Sequence, residues 1–290
     1  MRGKNHSRTA ESAAALRAAH LLDNGPIVFD DPFAIEMTSP RLRRIVKNPV
    51  LRWTMKILLG EMVKICGQIL VRGRYAEDLL ERAPSAGITQ YVLISAGFDS
   101  FALRRRDLAD TLSVFELDLP ATQSMKIQRL SGLGISLPKN LEFVPVNFET
   151  ESISTALRRT SYAADQKTFF SWLGTVPYLT EAAIFSTLRS ITSISAPGSE
   201  IVFDFAAPIQ YAHDQDRPVL EKLMRYTARR GEPIITFFDP EPFLTRVCEL
   251  GFKVVETVSP EEQDARYFKD NPIGWRTVPV EFLAQLRRVN

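Results

Sequence analysis

The residues best suited to chemistry lie where an apolar run ends in a glycine and a carboxylate. Residues 91–94 are apolar, and the next five residues, Ser-Ala-Gly-Phe-Asp, place Gly97 and Asp99 in a tight turn. Further along, a second apolar run ends at Asp118. Strand, glycine turn, helix, strand and acid is the layout of a nucleoside-binding α/β unit. Asp118 could accept hydrogen bonds from both ribose hydroxyls, or it could cap a helix that begins at Pro120.

The turn contains one glycine where dinucleotide-binding loops have three. A pyrophosphate needs a close backbone approach and several free N–H groups, which a glycine-rich loop provides. Gly97 alone is weak evidence, because it could be an ordinary turn residue with a positive φ. The single glycine nevertheless favours S-adenosylmethionine over a nicotinamide dinucleotide, since S-adenosylmethionine has a ribose, an adenine, a carboxylate and an ammonium but no phosphate. We therefore predict that Gly97, Asp99 and Asp118 bind this cofactor.

Three further residues could contact the same cofactor. The side chain of Asn147 could accept from the adenine amino group, and the backbone N–H of Phe148 could donate to a ring nitrogen. Alternatively, Asn147 caps the next helix. Arg74 could hold the cofactor carboxylate through a bidentate pair. Its alternative is a surface ion pair with Glu77 or Asp78.

The rest of the sequence predicts the sheet that positions these residues. Apolar runs of strand length alternate with segments of helical pattern. The predicted strands are Tyr91–Ile94, Ser113–Leu117, Glu142–Val146, Thr168–Leu173, Ile201–Phe205, Ile234–Phe237 and Phe252–Thr257. The predicted helices between them are Ser100–Ala109, Ala121–Leu130, Ser152–Arg159, Glu181–Ile194 and Val219–Arg230. Apolar strands that alternate with helices are typical of parallel sheets. We predict an α/β, Rossmann-like, mostly parallel seven-stranded sheet with helices on both faces.

The chain divides into an N-terminal helical cap, residues 1–88, and a cofactor-binding domain, residues 89–290. Residues 1–19 are polar and charged, so we expect no signal peptide. Residues 53–71 are the most apolar, but Lys56, Glu61 and Lys64 interrupt them, and we expect no stable membrane insertion. Their helical spacing predicts a helix packed on the core or, alternatively, a hydrophobic lid over an apolar substrate.

Composition narrows the class of protein. The 36 basic and 34 acidic residues among 290 leave a net charge of +2, which gives no electrostatic reason to expect nucleic acid binding. The two cysteines, Cys66 and Cys248, lie far apart in apolar surroundings, and the three histidines do not cluster. We predict no metal site and no disulfide framework, and we expect buried thiols in a reducing, cytoplasmic environment.

Together these residues resemble the leucine carboxyl methyltransferase family of S-adenosylmethionine-dependent methyltransferases. Within that family, the chain looks most like the bacterial branch of O-methyltransferases that act on small molecules. The order and spacing of the motifs carry the resemblance over most of the chain. The motifs are Ser7–Ala10, Arg17–Ala18, Asp31–Pro32, Arg72–Asp78, Ala96–Ser100, Phe115–Pro120, Val144–Phe148, Pro177–Thr180, Ala196–Ser199 and Ala265–Phe268.

The resemblance implies the same roles as the residues themselves. Arg74 would hold the cofactor carboxylate, Gly97 would line the methionine part, Asp118 would bind the ribose, and Asn147 and Phe148 would bind the adenine. The N-terminal segment would cap the site.

The sequence departs from the family at three positions. The family usually has Asp where Asn147 stands, often has Glu before the glycine where Leu173 stands, and usually has Thr where Ser100 stands. Asn147 loses a charge but keeps an acceptor, and Ser100 keeps the hydroxyl. The carboxylate is lost at Leu173.

The predicted reaction transfers a methyl group to a carboxylate or hydroxyl of a small molecule. A carboxylate acceptor needs only to be oriented, and Arg17, Tyr178 and Arg266 are the candidates, although Tyr178 could instead be a packed residue at a helix start. A hydroxyl acceptor needs a base. The sequence shows no well-placed histidine, which favours a carboxylate or an acidic hydroxyl.

Two other functions stay open on the sequence alone. One is a non-enzymatic regulatory protein that keeps cofactor binding on a decayed methyltransferase scaffold, which Leu173 and Asn147 would favour. The other is a nicotinamide-dependent oxidoreductase. The sequence does not predict the oligomeric state.

Overall fold

One mixed sheet forms the centre of the computed structural model, which describes residues 8–23 and 25–289. Within these residues the strands are β1 (Gln90–Ile94), β2 (Ser113–Asp118), β3 (Leu141–Pro145), β4 (Thr168–Trp172), β5 (Glu200–Ala206), β6 (Phe252–Val258) and β7 (Glu281–Arg288). Their order across the sheet is β3-β2-β1-β4-β5-β7-β6. Only β7 runs antiparallel to its neighbours. The prediction of a mostly parallel seven-stranded sheet is confirmed.

Helices cover both faces of this sheet. Over the same described residues they are α1 (Arg8–Leu21), α2 (Pro40–Lys47), α3 (Pro49–Leu59), α4 (Glu61–Ile65), α5 (Gln68–Leu80), α6 (Phe101–Arg104), α7 (Pro120–Gly132), α8 (Ile153–Leu157), α9 (Glu181–Ile194), α10 (Arg217–Arg229), α11 (Pro240–Cys248) and α12 (Pro260–Tyr267). The helix predicted at Glu181–Ile194 has those bounds. Of the family motif Ser7–Ala10, Ser7 lies outside the described residues.

The two faces of β1 belong to two different hydrophobic cores. Val92 and Ile94 pack with residues of α8, α9 and α11, whereas Tyr91 and Leu93 pack with residues of α5. Successive side chains of a strand point to opposite faces, so a strand covered by helices on both sides is buried along its whole length. Every residue of β1, β4 and β5 is accordingly buried.

The prediction of a strand at Ile234–Phe237 is wrong. This segment has no regular secondary structure, and it crosses the carboxyl ends of β4 and β5 instead of joining the sheet. The N–H of Ile235 donates to the carbonyl of Pro177 at 2.9 Å, and the N–H of Phe238 donates to the carbonyl of Ala206 at 2.9 Å. Its apolar pattern therefore reflects packing over the edge of the sheet.

The seventh strand is β7, which the sequence pattern did not predict. Its alternation is hidden because Gln285 and Arg287 look like surface residues. In the structure both donate to the carboxylate of Glu200 on β5, from Gln285 Nε2 at 2.7 Å and from Arg287 Nη2 at 2.8 Å. Side-chain pairing across the two strands thus accounts for polar residues in an interior strand.

The apolar stretch at residues 53–71 is not one helix. It breaks at Gly60, where φ is 56°, and at Gly67, which gives α3, α4 and the start of α5. Met62 and Ile65 of α4 are buried with residues of α10, but α3 has no buried residue. Among the described residues, no helix has the length and apolar character needed to cross a membrane.

A buried ion pair fixes α7 on β2 just before Asp118. Glu116 of β2 and Lys126 of α7 are both almost fully buried and directly bonded to each other. Gln123 Nε2 also donates to the Glu116 carbonyl at 2.7 Å. Burial raises the pKa of Glu116 to about 7, although the charge of Lys126 lowers it. The position of the Asp118 strand end therefore depends on this pair.

We expect Lys126→Met to lower the free energy of unfolding by about 3 kcal/mol, because it leaves the buried Glu116 without its partner. Urea denaturation measures the change. Adding Glu116→Gln should restore much of the loss, since the pair is then replaced by neutral groups. The matched control is Lys139→Met, which breaks the exposed Lys139–Asp110 pair and should leave the urea midpoint unchanged. Equal effects of Lys126→Met and Lys139→Met would contradict this account.

Candidate functional site

The turn after β1 brings two of the predicted cofactor residues into contact. Ser95 and Gly97 both have positive φ values, 59° and 55°. This geometry aims the Gly97 N–H at the carboxylate of Asp118, and the Gly97 N–Asp118 Oδ2 distance is 2.6 Å. A glycine suits the position because it adopts positive φ without strain. This hydrogen bond therefore joins the turn after β1 to the last residue of β2.

Asp118 also caps the helix that follows it. Its Oδ1 accepts from the N–H of Leu119 at 2.7 Å, at the start of α7. Burial raises the pKa of Asp118, while the N–H groups of Gly97 and Leu119 lower it. Asp118 can cap α7 and still bind a ribose, because each carboxylate oxygen can accept a further hydrogen bond from a hydroxyl.

A buried network around Asp31 holds the cap on this turn. Arg17 of α1 pairs with Asp31 at 2.8 Å and donates to the Phe98 carbonyl at 2.7 Å. The Ser100 hydroxyl donates to Asp31 at 2.5 Å, and Arg104 Nε donates to Ser100 at 2.8 Å. Burial by itself would raise the pKa of Asp31, but Arg17, Arg104 and Ser100 together lower it. The carboxylate thus stays charged and joins α1, the turn and α6.

This network uses Arg17, a candidate for orienting the acceptor, to hold the turn. A role of Arg17 towards an acceptor stays a prediction. Asp99 likewise makes a local hydrogen bond, because its Oδ1 accepts from the N–H of Phe101 at 2.6 Å at the start of α6. Its predicted contact with the cofactor also stays a prediction.

The end of β3 lies beside Asp118, as the adenine prediction requires. The N–H of Val146 donates to the Asp118 carbonyl at 2.9 Å, so Asn147 and Phe148 follow directly at the same edge. The Asn147 Oδ1 accepts from the N–H of Glu149 at 3.0 Å, a local turn bond in line with the capping alternative. Phe148 packs partly buried against the core.

Arg74 and Arg266 lie apart from these strand ends. Arg74 is half-exposed and pairs with Asp78 one helical turn further along α5, at 2.7 Å, which is the surface ion pair considered as its alternative. Arg266 of α12 pairs with Glu256 of β6 at 2.8 Å. Among the described residues, neither arginine contacts Gly97 or Asp118. Their predicted roles lack support from the geometry because both guanidinium groups are paired away from the carboxyl edge of the sheet, with Asp78 and Glu256.

A second group of polar residues lies at the ends of β4 and β5, and the sequence prediction missed most of it. Arg72, two residues before Arg74, turns to this edge, and its Nη1 is 3.4 Å from Asp204 Oδ2. The N–H of Gly174 donates to Asp204 Oδ1 at 2.6 Å. A Cβ on Gly174 would lie 2.3 Å from Arg72 Nη1, so the guanidinium lies directly against the turn that follows β4.

Glu281 completes this group from β7. Because β7 is antiparallel, its first residue pairs in register with Ala206, the last residue of β5. Burial raises the pKa of Glu281 to about 8, and the nearby Asp204 carboxylate raises it while Arg72 lowers it. Burial also raises the pKa of Tyr178, and the charge of Glu281 adds to that rise. We call Asp204, Glu281 and Tyr178 the acceptor-side cluster.

One signal in the sequence could have found part of this cluster. Asp204 is a lone charge inside the apolar strand Ile-Val-Phe-Asp-Phe-Ala, and a buried charge needs a partner. Glu281 carried no such signal, because its strand was not predicted. Within the described part of the chain, no group of three or more His, Cys, Asp or Glu residues could hold a metal ion.

Comparison with known proteins shows the family to which the chain belongs. A family model described as leucine carboxyl methyltransferase matches residues 10–192. The chain belongs to this family. A candidate S-adenosylmethionine-dependent methyltransferase of Bacillus subtilis, YktD, is 29% identical over 303 residues, 96% of this chain and 97% of that protein. One of Mycobacterium tuberculosis H37Rv, described in the same words, is 30% identical over 233 residues, 77% and 72% of the two chains.

Solved structures show the same fold as this family member. A DUF574 family protein from Streptomyces avermitilis matches with a TM-score of 0.60 at 13% identity, over 99% of this chain and 98% of that one. A methyltransferase candidate from Thermobifida fusca matches with a TM-score of 0.59 at 14% identity, over 98% of both chains.

The chain is therefore an S-adenosylmethionine-dependent methyltransferase, and the predictions of family, enzyme class and cofactor are confirmed. The residues at the strand ends fit this cofactor. Asp118 offers acceptor oxygens for a ribose, and the turn has one open glycine. Arg72 places a cation at the edge of the sheet for a carboxylate.

Proposed function

We propose that this enzyme methylates an oxygen atom of a small molecule, and that its acceptor binds between the Gly97 turn and the acceptor-side cluster. The observation that carries the proposal is the position of Glu281. Glu281 gives the carboxyl edge of the sheet a partly buried carboxyl group with a raised pKa, beside the strand ends where α/β proteins bind ligands. A carboxyl group of this kind suits proton transfer from a hydroxyl.

In this proposal, the cofactor lies across the ends of β1, β2 and β3. Asp118 accepts from the ribose hydroxyls, Gly97 lines the methionine part, and Asn147 and Phe148 contact the adenine. Arg72 takes the role predicted for Arg74 and pairs with the cofactor carboxylate. The support is its place at the strand ends against Gly174, whereas Arg74 is paired with Asp78 on the outer surface.

The acceptor lies over β4, β5 and β7. When bound, S-adenosylmethionine would supply a methyl group activated by its positively charged sulfur. Transfer would break the bond between the methyl carbon and the sulfur and release S-adenosylhomocysteine. Glu281 accepts the proton that a hydroxyl loses as its oxygen forms the new bond to carbon. Tyr178 orients the acceptor by a hydrogen bond, because its raised pKa keeps the phenol protonated. A carboxylate acceptor would need the orientation but not the proton transfer.

The cofactor assignment predicts a difference between two arginines on one helix. Titration calorimetry with S-adenosylhomocysteine should show at least a tenfold weaker affinity for Asp118→Asn and for Arg72→Gln, since each loses charge-assisted hydrogen bonds to the ligand. Arg74→Gln should bind like the unchanged protein.

Arg74→Gln is the matched control, because it removes the same group two residues away on α5. Circular dichroism of all three variants separates lost binding from lost folding. Weak binding by Arg74→Gln with full binding by Arg72→Gln would restore the original assignment and contradict the revised one.

The proton-transfer assignment predicts a dependence on pH. The base must be deprotonated to act, so the turnover of a hydroxyl acceptor should rise with pH up to about 8 and then level off. Glu281→Gln should abolish this rise and reduce turnover by roughly a hundredfold at pH 8. The variant should stay folded, because Gln resembles the protonated carboxyl group. Initial rates from pH 6 to 9 with a phenol and a carboxylate acceptor measure the effect.

Glu241→Gln, at an exposed position on α11, is the control and should keep the pH profile. A carboxylate acceptor that is turned over equally well by Glu281→Gln would show that orientation alone suffices for that class. An unchanged phenol profile in Glu281→Gln would rule out Glu281 as the base.

A further inference from the structure

Helix α3 is oriented with its apolar side chains outwards. None of its 11 residues is buried. Val50, Trp53, Ile57 and Leu58 are 68%, 64%, 58% and 69% exposed. Large apolar side chains seldom cluster on a protein surface unless another apolar surface covers them. We call these four exposed side chains, Val50, Trp53, Ile57 and Leu58, the apolar face.

The inner side of α3 is held by charged groups. Arg52 and Lys56, one turn apart, both pair with the buried carboxylate of Asp23, at 3.5 Å and 2.7 Å. Arg52 also donates to the carbonyls of Val46 and Leu22, at 2.6 Å and 3.1 Å. Rotating the apolar face inwards would break these bonds and leave Asp23 unpaired in a buried position. The outward orientation is therefore fixed by the surrounding structure.

Helix α2 adds positive charge next to the apolar face. Asn48 links the two helices, and its side chain accepts from the N–H of Val50 at 2.9 Å. Arg41, Arg44 and Lys47 of α2 are exposed, and the described residues offer them no ion pair. Residues 40–60 contain no Asp or Glu, although the whole chain has a net charge of only +2. The positive charge is therefore local to this surface.

We propose that α2 and the apolar face form a reversible docking surface for an anionic lipid bilayer. Trp and aliphatic side chains insert at the level of the lipid headgroups, and Arg and Lys attract anionic phosphates. A helix of 11 residues is about 16 Å long, which is too short to span a bilayer and suits binding in its plane.

Charge favours a bilayer over a second copy of the chain. A twofold contact through this surface would place Arg41, Arg44 and Lys47 of both copies in one interface. Such like charges repel, whereas anionic lipid neutralises them. This docking is independent of the proposed acceptor chemistry, because it uses none of the acceptor-side cluster.

Tryptophan fluorescence of the full chain gives a direct test. Among the three tryptophans, Trp172 and Trp275 are only 1% and 4% exposed, so a spectral change on binding reports Trp53. Vesicles of phosphatidylcholine and phosphatidylglycerol in equal parts should shift the emission to shorter wavelength and should sediment the protein. Pure phosphatidylcholine vesicles should do neither, or far less.

Variants separate the apolar and charged contributions. Ile57→Ser with Leu58→Ser should reduce sedimentation at least tenfold, and Arg44→Ala should reduce it roughly fivefold. Leu137→Ser changes an exposed leucine outside α2 and α3 and should have no effect. All four positions are on the surface, so unchanged melting temperatures are expected and are part of the measurement.

Three outcomes would overturn the proposal. One is no binding to the anionic vesicles. Another is binding that these variants leave unchanged. The third is a concentration-dependent dimer in light scattering that Ile57→Ser with Leu58→Ser abolishes, which would show that a second copy covers the face.

Discussion

The geometry of the site depends on one buried carboxylate, Asp31. It lies in the N-terminal part of the chain, yet its partners come from α1, from the turn after β1 and from α6. A buried charge is tolerated only when it is paired and hydrogen-bonded. If one of these three elements moved away, the buried carboxylate of Asp31 would lose a partner, which is energetically costly. Arg17 also donates to the carbonyl of Phe98, so the network reaches the turn that carries Gly97 and its hydrogen bond to Asp118.

The carboxyl edge of the sheet has two halves with different electrostatics. On one side, the N–H of Gly97 after β1 donates to the carboxyl group of Asp118 at the end of β2. On the other side, β4, β5 and β7 bring Asp204, Glu281 and Arg72 together. Leu173 stands where the family often has Glu, and a carboxyl group from a different strand lies nearby. Although Leu173 has no carboxylate, Asp204 and Glu281 provide carboxyl groups at this half of the edge.

Local patterns predicted the cofactor half well because its residues directly follow apolar strands. Gly97 and Asp118 could be placed from sequence alone, since parallel strands end at one edge. Arg72 and Arg74 could not be told apart, because only packing decides which face of α5 meets the sheet. Glu281 could be predicted only if β7 was recognised as a strand. The polar residues Gln285 and Arg287 of β7 conceal the strand pattern, because their partner Glu200 on β5 is known only from the structure. Ile234–Phe237 failed for the opposite reason, as its apolar residues cover the edge rather than extend the sheet.

The most direct measurement is a crystal structure with S-adenosylhomocysteine. The account predicts the ribose hydroxyls on Asp118, the amino-acid carboxylate on Arg72, and the sulfur open towards Glu281 and Tyr178. It is contradicted if the carboxylate lies on Arg74, or if the ligand occupies a place away from the ends of β1 and β2.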